Sequence, residues 1–172
     1  MGLFNGLYKN YGMSKEKVLE WQKLVTGSDI DKVKLSKEQL KNGTEMIIDS
    51  HRKIINDCIR LINSTITPGV FFDRYDMLIK EMTELIPFEP FYSFKQSISG
   101  QVEELKQKRS LNEKAFINKY FKSVIESTEN LKTKKGKENR INKYFEIMET
   151  YKPRMTQDAI EHLDSLHKNV NN

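Results

Sequence analysis

Apolar side chains recur at intervals of three and four residues along nearly the whole chain, and no stretch alternates apolar and polar residues long enough to predict a strand. With only 8 Gly and 4 Pro in 172 residues, turn-forming residues are too few for a turn-dense all-β fold. We therefore expect an all-α protein, an elongated and mainly antiparallel bundle of about six helices. A single domain is expected over residues 1–172, with 1–13 as a loosely docked N-terminal segment and 169–172 as a frayed tail.

Two helix starts stand out in the first half of the chain. Ser36 opens a capping box, which predicts a helix whose apolar stripe continues to about Thr65. So long a helix implies either an elongated bundle or a break near Gly43. Thr67 and Pro68 predict the start of the next helix, because proline disfavours helix in the residue before it and suits the first helical position.

The second half of the chain leaves more alternatives. Ser110 and Glu113 match another capping box, so a helix restarts there or one helix continues through 92–131, and we favour the continuous helix. The segment Lys132–Lys137 is basic and has no apolar anchor, which indicates a solvated loop between helices. Thr156 is the expected cap of the last helix.

Residues that could carry chemistry are sparse. Cys58 is the only cysteine and lies in an apolar stripe, so we expect it to be buried and unreactive. Asp73 and Asp76 are three residues apart, as are Glu81 and Glu84, but the chain lacks the Glu-x-x-His pairs of helical di-metal sites. We therefore expect no metal, no cofactor and no catalytic residue.

The three histidines also give no metal-ligand pattern. His51 has no acidic residue three or four positions away, and His162 and His167 are five residues apart. We expect all three to be ordinary surface or partly buried side chains. The chain contains no stretch approaching a membrane span and no secretory signal pattern, which favours a cytoplasmic protein.

The segment 63–76 reads Asn-Ser-Thr-Ile-Thr-Pro-Gly-Val-Phe-Phe-Asp-Arg-Tyr-Asp. It resembles a segment of uncharacterised helical proteins of Gram-positive bacteria and their prophages, where a helix end leads through a proline to paired phenylalanines and an Arg-Tyr-Asp run. The resemblance implies a bacterial or prophage origin and no assigned activity. The residues themselves predict a helix corner that places Phe71 and Phe72 in the core. The alternative is a recognition surface formed by Arg74, Tyr75 and Asp76.

Positive charge is concentrated in the last part of the chain. The net charge is +5, and residues 101–172 hold 15 basic against 11 acidic residues. A cluster of cations within nine residues would raise the local affinity for phosphates without sequence specificity. This cluster consists of Lys132, Lys134, Lys135, Lys137 and Arg140.

The sequence thus favours a non-enzymatic protein that binds another protein or a second copy of itself. The grounds are the lack of catalytic motifs and helices long enough to leave apolar surface for a partner. Nonspecific nucleic-acid binding through residues 132–140 is the first alternative. The second is an enzyme whose site is assembled from residues distant in sequence.

Overall fold

The segments in which apolar residues recur every three or four positions are helical in the part of the chain that the structure describes. The computed structural model describes residues 37–86, 89 and 94–171, and within these ranges it contains six α-helices and no strand. The prediction of an all-α helical bundle is therefore confirmed. The N-terminal segment 1–13 and the predicted cap Ser36 lie outside the described residues.

The helices are α1 Lys37–Ser64, α2 Pro68–Thr83, α3 Ile98–Gln107, α4 Arg109–Thr128, α5 Lys134–Glu149 and α6 Gln157–Asn171, with a 3₁₀ turn at Lys152–Arg154. α2 begins at Pro68, as predicted, and α1 continues through Gly43 without a break. α6 continues to Asn171, so residues 169–171 are helical where the sequence predicts a frayed tail. None of the described helices is both long and apolar enough to cross a membrane.

The expectation of one continuous helix over 92–131 is wrong. α3 ends at Gln107 and α4 begins at Arg109, with Lys108 in a turn at φ −81° and ψ −3°. The Ser110 capping box does not form either, since the Ser110 hydroxyl donates to Asp158 at 3.1 Å. Glu113 is used in a different contact, described below, which its sequence position could not reveal.

The expectation that Lys132–Lys137 is a loop is wrong for 134–137, whereas Lys132 and Thr133 do lie in the connection between α4 and α5. α5 begins at Lys134, and the Thr133 hydroxyl oxygen accepts a hydrogen bond of 3.1 Å from the backbone N–H of Gly136. This N-cap satisfies one of the amides that a helix start leaves unpaired, so the helix does not need an apolar residue in its first turn.

The chain divides into two compact units. Unit 1 comprises the described residues among Met1–Asn56 and Lys80–Gln101, and unit 2 comprises those among Asp57–Ile79 and Val102–Asn172. In unit 1 the buried apolar side chains include Ile48, Leu85 and Ile98. In unit 2, α4 packs against both α5 and α6. The single domain and the elongated antiparallel arrangement stay predictions.

The core of unit 2 is largely aromatic. The ring of Phe71 stacks on that of Phe116 with centroids 4.2 Å apart, and the ring of Phe72 stacks on that of Tyr151 at 5.4 Å. Offset pairs of this kind add to the stabilisation that burial alone provides. The prediction that the two phenylalanines of α2 enter the core is confirmed, and Cys58 is fully buried as expected. The buried members of this core are Phe71, Phe72, Tyr75, Phe116, Ile117, Tyr144, Phe145, Met148, Ala159 and Leu163.

A buried carboxylate fixes the start of α6. The side chain of Glu113 in α4 is 1% exposed and accepts a hydrogen bond of 2.9 Å from Arg109 Nε. Its second oxygen accepts from the backbone N–H of Thr156 at 2.8 Å and from the Thr156 hydroxyl at 2.7 Å. Thr156, the expected cap of α6, thus donates its hydroxyl proton across to α4.

The same arginine links this carboxylate to α2. Arg109 lies 3.0 Å from Asp76, and Arg154 donates to Asp76 at 2.8 Å and to Asp73 at 2.7 Å. Arg109 of α4 and Arg154 of the 3₁₀ turn thus both bind carboxylates of α2. These ion pairs connect α2, α4 and the 3₁₀ turn within unit 2.

We predict that Glu113→Gln lowers the free energy of unfolding by about 3 kcal/mol, because the neutral amide leaves donors of Arg109 or Thr156 without an acceptor in a buried place. Glu103→Gln is the control. Its carboxylate binds Lys106 at a similar 2.7 Å but is 62% exposed, so a change of less than about 0.5 kcal/mol is expected. Urea unfolding followed by circular dichroism measures both, and equal effects would contradict this role of Glu113.

Candidate functional site

A cleft lies between α4 and α5 in unit 2. Its volume is about 670 Å³. Ile66, from the connection between α1 and α2, and Leu131, from the connection between α4 and α5, complete its wall. The lining residues are Ile66, Tyr120, Ser123, Val124, Ser127, Leu131, Gly136, Asn139, Arg140, Lys143, Tyr144 and Ile147.

Helical periodicity explains how these residues meet. Each lining position of α4, from Tyr120 to Ser127, has another lining position three or four residues away, so they share one face of that helix. The lining positions of α5 follow the same rule from Gly136 to Ile147. The cleft therefore lies between these two faces.

Tyrosines form the inner side of the cleft. Tyr144 is buried and donates its hydroxyl to the carbonyl oxygen of Ile117 at 3.0 Å, and its ring lies 4.9 Å from that of Tyr120. Burial raises the pKa of the Tyr144 phenol well above its ordinary value, and burial also raises the pKa of Tyr120. Both phenols are therefore neutral at physiological pH and act as apolar and hydrogen-bonding surface.

Cations lie on the exposed side of the cleft. Arg140 and Lys143 line it, and both are exposed. Neither they nor Lys135 form an ion pair within the described part of the chain, whereas Lys134 lies 3.8 Å from Glu138. No carboxylate, histidine or cysteine lines the cleft. The charged groups that line the cleft are therefore all cations, which favour anions.

The first turn of α5 concentrates this positive charge. It contains no acidic residue, although the N-terminal end of a helix favours negative charge. Of the cations predicted to bind nucleic acid, Arg140 lines the cleft, while Lys132, Lys134, Lys135 and Lys137 are exposed in or just before the first turns of α5. A helix start with unpaired amides and surplus lysines is a favourable place for an anionic group from outside the molecule.

Gly136 joins the helix start to the cleft. A Cβ atom at this position would lie 2.9 Å from the Thr133 hydroxyl oxygen, which is closer than a real Cβ contact. Glycine therefore permits the Thr133 cap while its backbone lines the cleft. The sequence signal for this arrangement, a threonine three residues before a glycine, is too common to be recognised without the structure.

The structure places the alternative recognition residues of α2 in three different environments. Tyr75 is buried, donates to the carbonyl oxygen of Leu105 at 2.9 Å and accepts from Asn112 at 3.0 Å. Asp76 is bound by two arginines of its own chain, and Arg74 is half-buried. These positions suit the helix-corner interpretation, and the recognition surface stays a prediction.

A second group of polar side chains lies in unit 1. His51 Nδ1 is 2.8 Å from Glu81 Oε2, and Glu84 lies beside them. The expectation that all histidines are surface or partly buried is wrong for His51, which is 1% exposed. Its partner is thirty residues away in sequence, so local spacing could not reveal the pair. His162 contacts Asn118, and His167 stacks on the ring of Phe145.

Comparison of the chain with protein-family models, curated proteins and solved structures found no match. The resemblance of segment 63–76 to proteins of Gram-positive bacteria and prophages therefore stays a prediction.

The raised pKa of Tyr144 predicts how stability depends on pH. The unfolded phenol loses its proton near pH 10, whereas the folded phenol retains it to higher pH. Above about pH 10 the unfolded state therefore binds fewer protons than the folded state. The contribution of Tyr144 to the free energy of unfolding is constant below this pH and falls as pH rises above it.

We predict that Tyr144→Phe makes this alkaline fall shallower, and that it costs about 1 kcal/mol below pH 9 because the Ile117 carbonyl loses its donor. Urea unfolding of both proteins between pH 7 and 11 provides the measurement. Parallel curves for the two proteins would exclude Tyr144 as the source.

Proposed function

We propose that the protein is a non-enzymatic interaction module whose cleft between α4 and α5 binds an acidic, amphipathic segment of another protein. A cytoplasmic location in a bacterium or prophage belongs to the same proposal. The observation that carries it is the coexistence, in one cleft, of apolar wall residues with exposed cations that have no partner carboxylate among the described residues.

The apolar wall supplies binding free energy without sequence-specific chemistry. Val124, Leu131 and Ile147 line the cleft, and Ile66 is 43% exposed beside them. Removing apolar surface from water stabilises a complex by about 25 cal/mol per Å². An apolar side chain of a partner segment would bury itself here together with Ile66.

The cations select the charge of the partner. Arg140 and Lys143 lie one helical turn apart, so carboxylates spaced along a partner helix would reach both. Complementary charge of this kind increases the association rate and excludes basic partners. It also offsets the repulsion among the lysines in the first turn of α5.

Nucleic-acid binding through residues 132–140 is the alternative that the exposed lysines favour. Phosphates need cations but not an apolar cleft, and base stacking needs accessible aromatic faces. In the cleft, Tyr144 is buried and Tyr120 is half-buried against it. A protein segment therefore uses more of the features of this surface than a phosphate backbone does. The third possibility, an enzyme with a dispersed site, has no carboxylate, histidine or cysteine in the cleft lining to support it.

The test uses a fluorescent helical peptide with leucines at helical spacing on one face and glutamates on the other, and the same peptide with lysines in place of glutamates. Fluorescence anisotropy is expected to show saturable binding of the acidic peptide only. Arg140→Glu and Ser123→Trp should each weaken binding about tenfold or more, the first by charge reversal and the second by filling the cleft.

Lys168→Glu is the matched control, because Lys168 is an exposed cation of α6 that does not line the cleft. It should change the dissociation constant by less than about twofold.

Equal binding of both peptides, or no binding of either, would overturn the proposal. A nonspecific DNA duplex that binds more tightly than the acidic peptide and is unaffected by Ser123→Trp would favour the nucleic-acid alternative. Concentration-dependent mass in light scattering, abolished by Ser123→Trp, would identify a second copy of the chain as the occupant.

A further inference from the structure

Three potential metal ligands converge in unit 1. His51 lies in α1, Glu81 lies in the last turn of α2, and Glu84 lies in the turn that directly follows α2. One ligand atom of each residue lies within 4.8 Å of the other two, and the closest pair, His51 Nδ1 and Glu81 Oε2, is 2.8 Å apart. This site is separate from the cleft of unit 2.

The burial of the three side chains is graded. The side chain of His51 is 1% exposed, that of Glu81 is 12% exposed and that of Glu84 is 43% exposed. The ligand nitrogen of His51 is therefore buried, the carboxylate of Glu81 is mostly shielded, and that of Glu84 reaches the surface. An ion could enter the cluster from the side of Glu84. Lys80, 3.9 Å from Glu84, is the only cation in contact with either carboxylate among the described residues.

We propose that His51, Glu81 and Glu84 bind one divalent transition-metal ion, with Zn²⁺ as the best match. Imidazole and carboxylate ligands lie about 2.0–2.2 Å from zinc, so ligand atoms in one shell are roughly 3 Å apart. The closest pair in this cluster is 2.8 Å apart, and all three ligand atoms lie within 4.8 Å of one another, so the cluster is close to this spacing. Two carboxylates and one neutral imidazole balance the charge of a divalent cation.

The proton that His51 shares with Glu81 can be moved when a metal ion binds. A neutral imidazole carries one proton, and when Nδ1 donates to Glu81 that proton lies between them. Coordination through Nδ1 moves the proton to Nε2, and the ion takes over the interaction with the Glu81 carboxylate. Three protein ligands leave at least one coordination position for water.

Glu84 distinguishes a metal site from a simple buried hydrogen bond. The contact of His51 with Glu81 accounts for those two residues without any ion. It does not involve Glu84, whose only ion pair among the described residues is with Lys80. A contribution of Glu84 to ion binding is therefore specific to the proposed site.

Isothermal titration calorimetry of the full chain with zinc chloride tests the proposal, with magnesium chloride as the comparison ion. We expect one Zn²⁺ site whose dissociation constant rises about tenfold or more in Glu84→Gln and in Glu81→Gln, and weaker binding of Mg²⁺, which imidazole does not favour. Zinc should also raise the melting temperature of the unchanged protein by more than that of Glu84→Gln at the same zinc concentration.

Glu126→Gln is the control variant. Glu126 is an exposed helical glutamate 3.8 Å from a lysine four residues earlier, the same arrangement as Lys80 with Glu84. Its zinc affinity should match that of the unchanged protein within about twofold. Zinc binding that is weaker than about 1 mM, or that is the same in Glu84→Gln as in Glu126→Gln, would overturn the proposal. Because Glu84 is exposed, its variant is expected to fold, which circular dichroism verifies.

Discussion

The organisation of unit 2 depends on the carboxylate of Glu113. An ionised carboxylate in a nearly buried place is tolerated only when its oxygens are fully hydrogen-bonded. Glu113 meets this requirement with the guanidinium of Arg109 and with both donors of Thr156. Those bonds set where α6 begins relative to α4, and Arg109 extends the constraint to Asp76 of α2. The aromatic core beside them therefore packs against helices whose ends are already fixed.

The fold was largely accessible from the sequence, and the errors have local physical causes. Pro68 marks a helix start through its own geometry, and the spacing of Phe71 and Phe72 identifies the buried face of α2. The turn at Lys108 interrupts the helix for a single residue and leaves no glycine or proline as a signal. The lysine-rich start of α5 hides its helix because the stabilising contact is one threonine cap.

The candidate sites were less accessible. The cations of α5 can be recognised in the sequence. One wall of the cleft, however, is a face of α4 whose apolar periodicity predicts only that it is buried in the core. The pairing of His51 with Glu81 joins residues of different helices thirty positions apart, so only the packing of α1 against α2 within unit 1 reveals it. Local spacing identifies which residues share a helix face. Which other helix packs against that face depends on the tertiary structure.

The single cysteine has a consequence for how the molecule can be followed in solution. Cys58 is fully buried within α1, and the chain holds no other thiol. A thiol-specific reagent reaches its sulfur only when the surrounding helices separate, because alkylation needs an accessible thiolate. The rate of that labelling in the native protein therefore reports how often the structure around Cys58 opens, with no engineered probe.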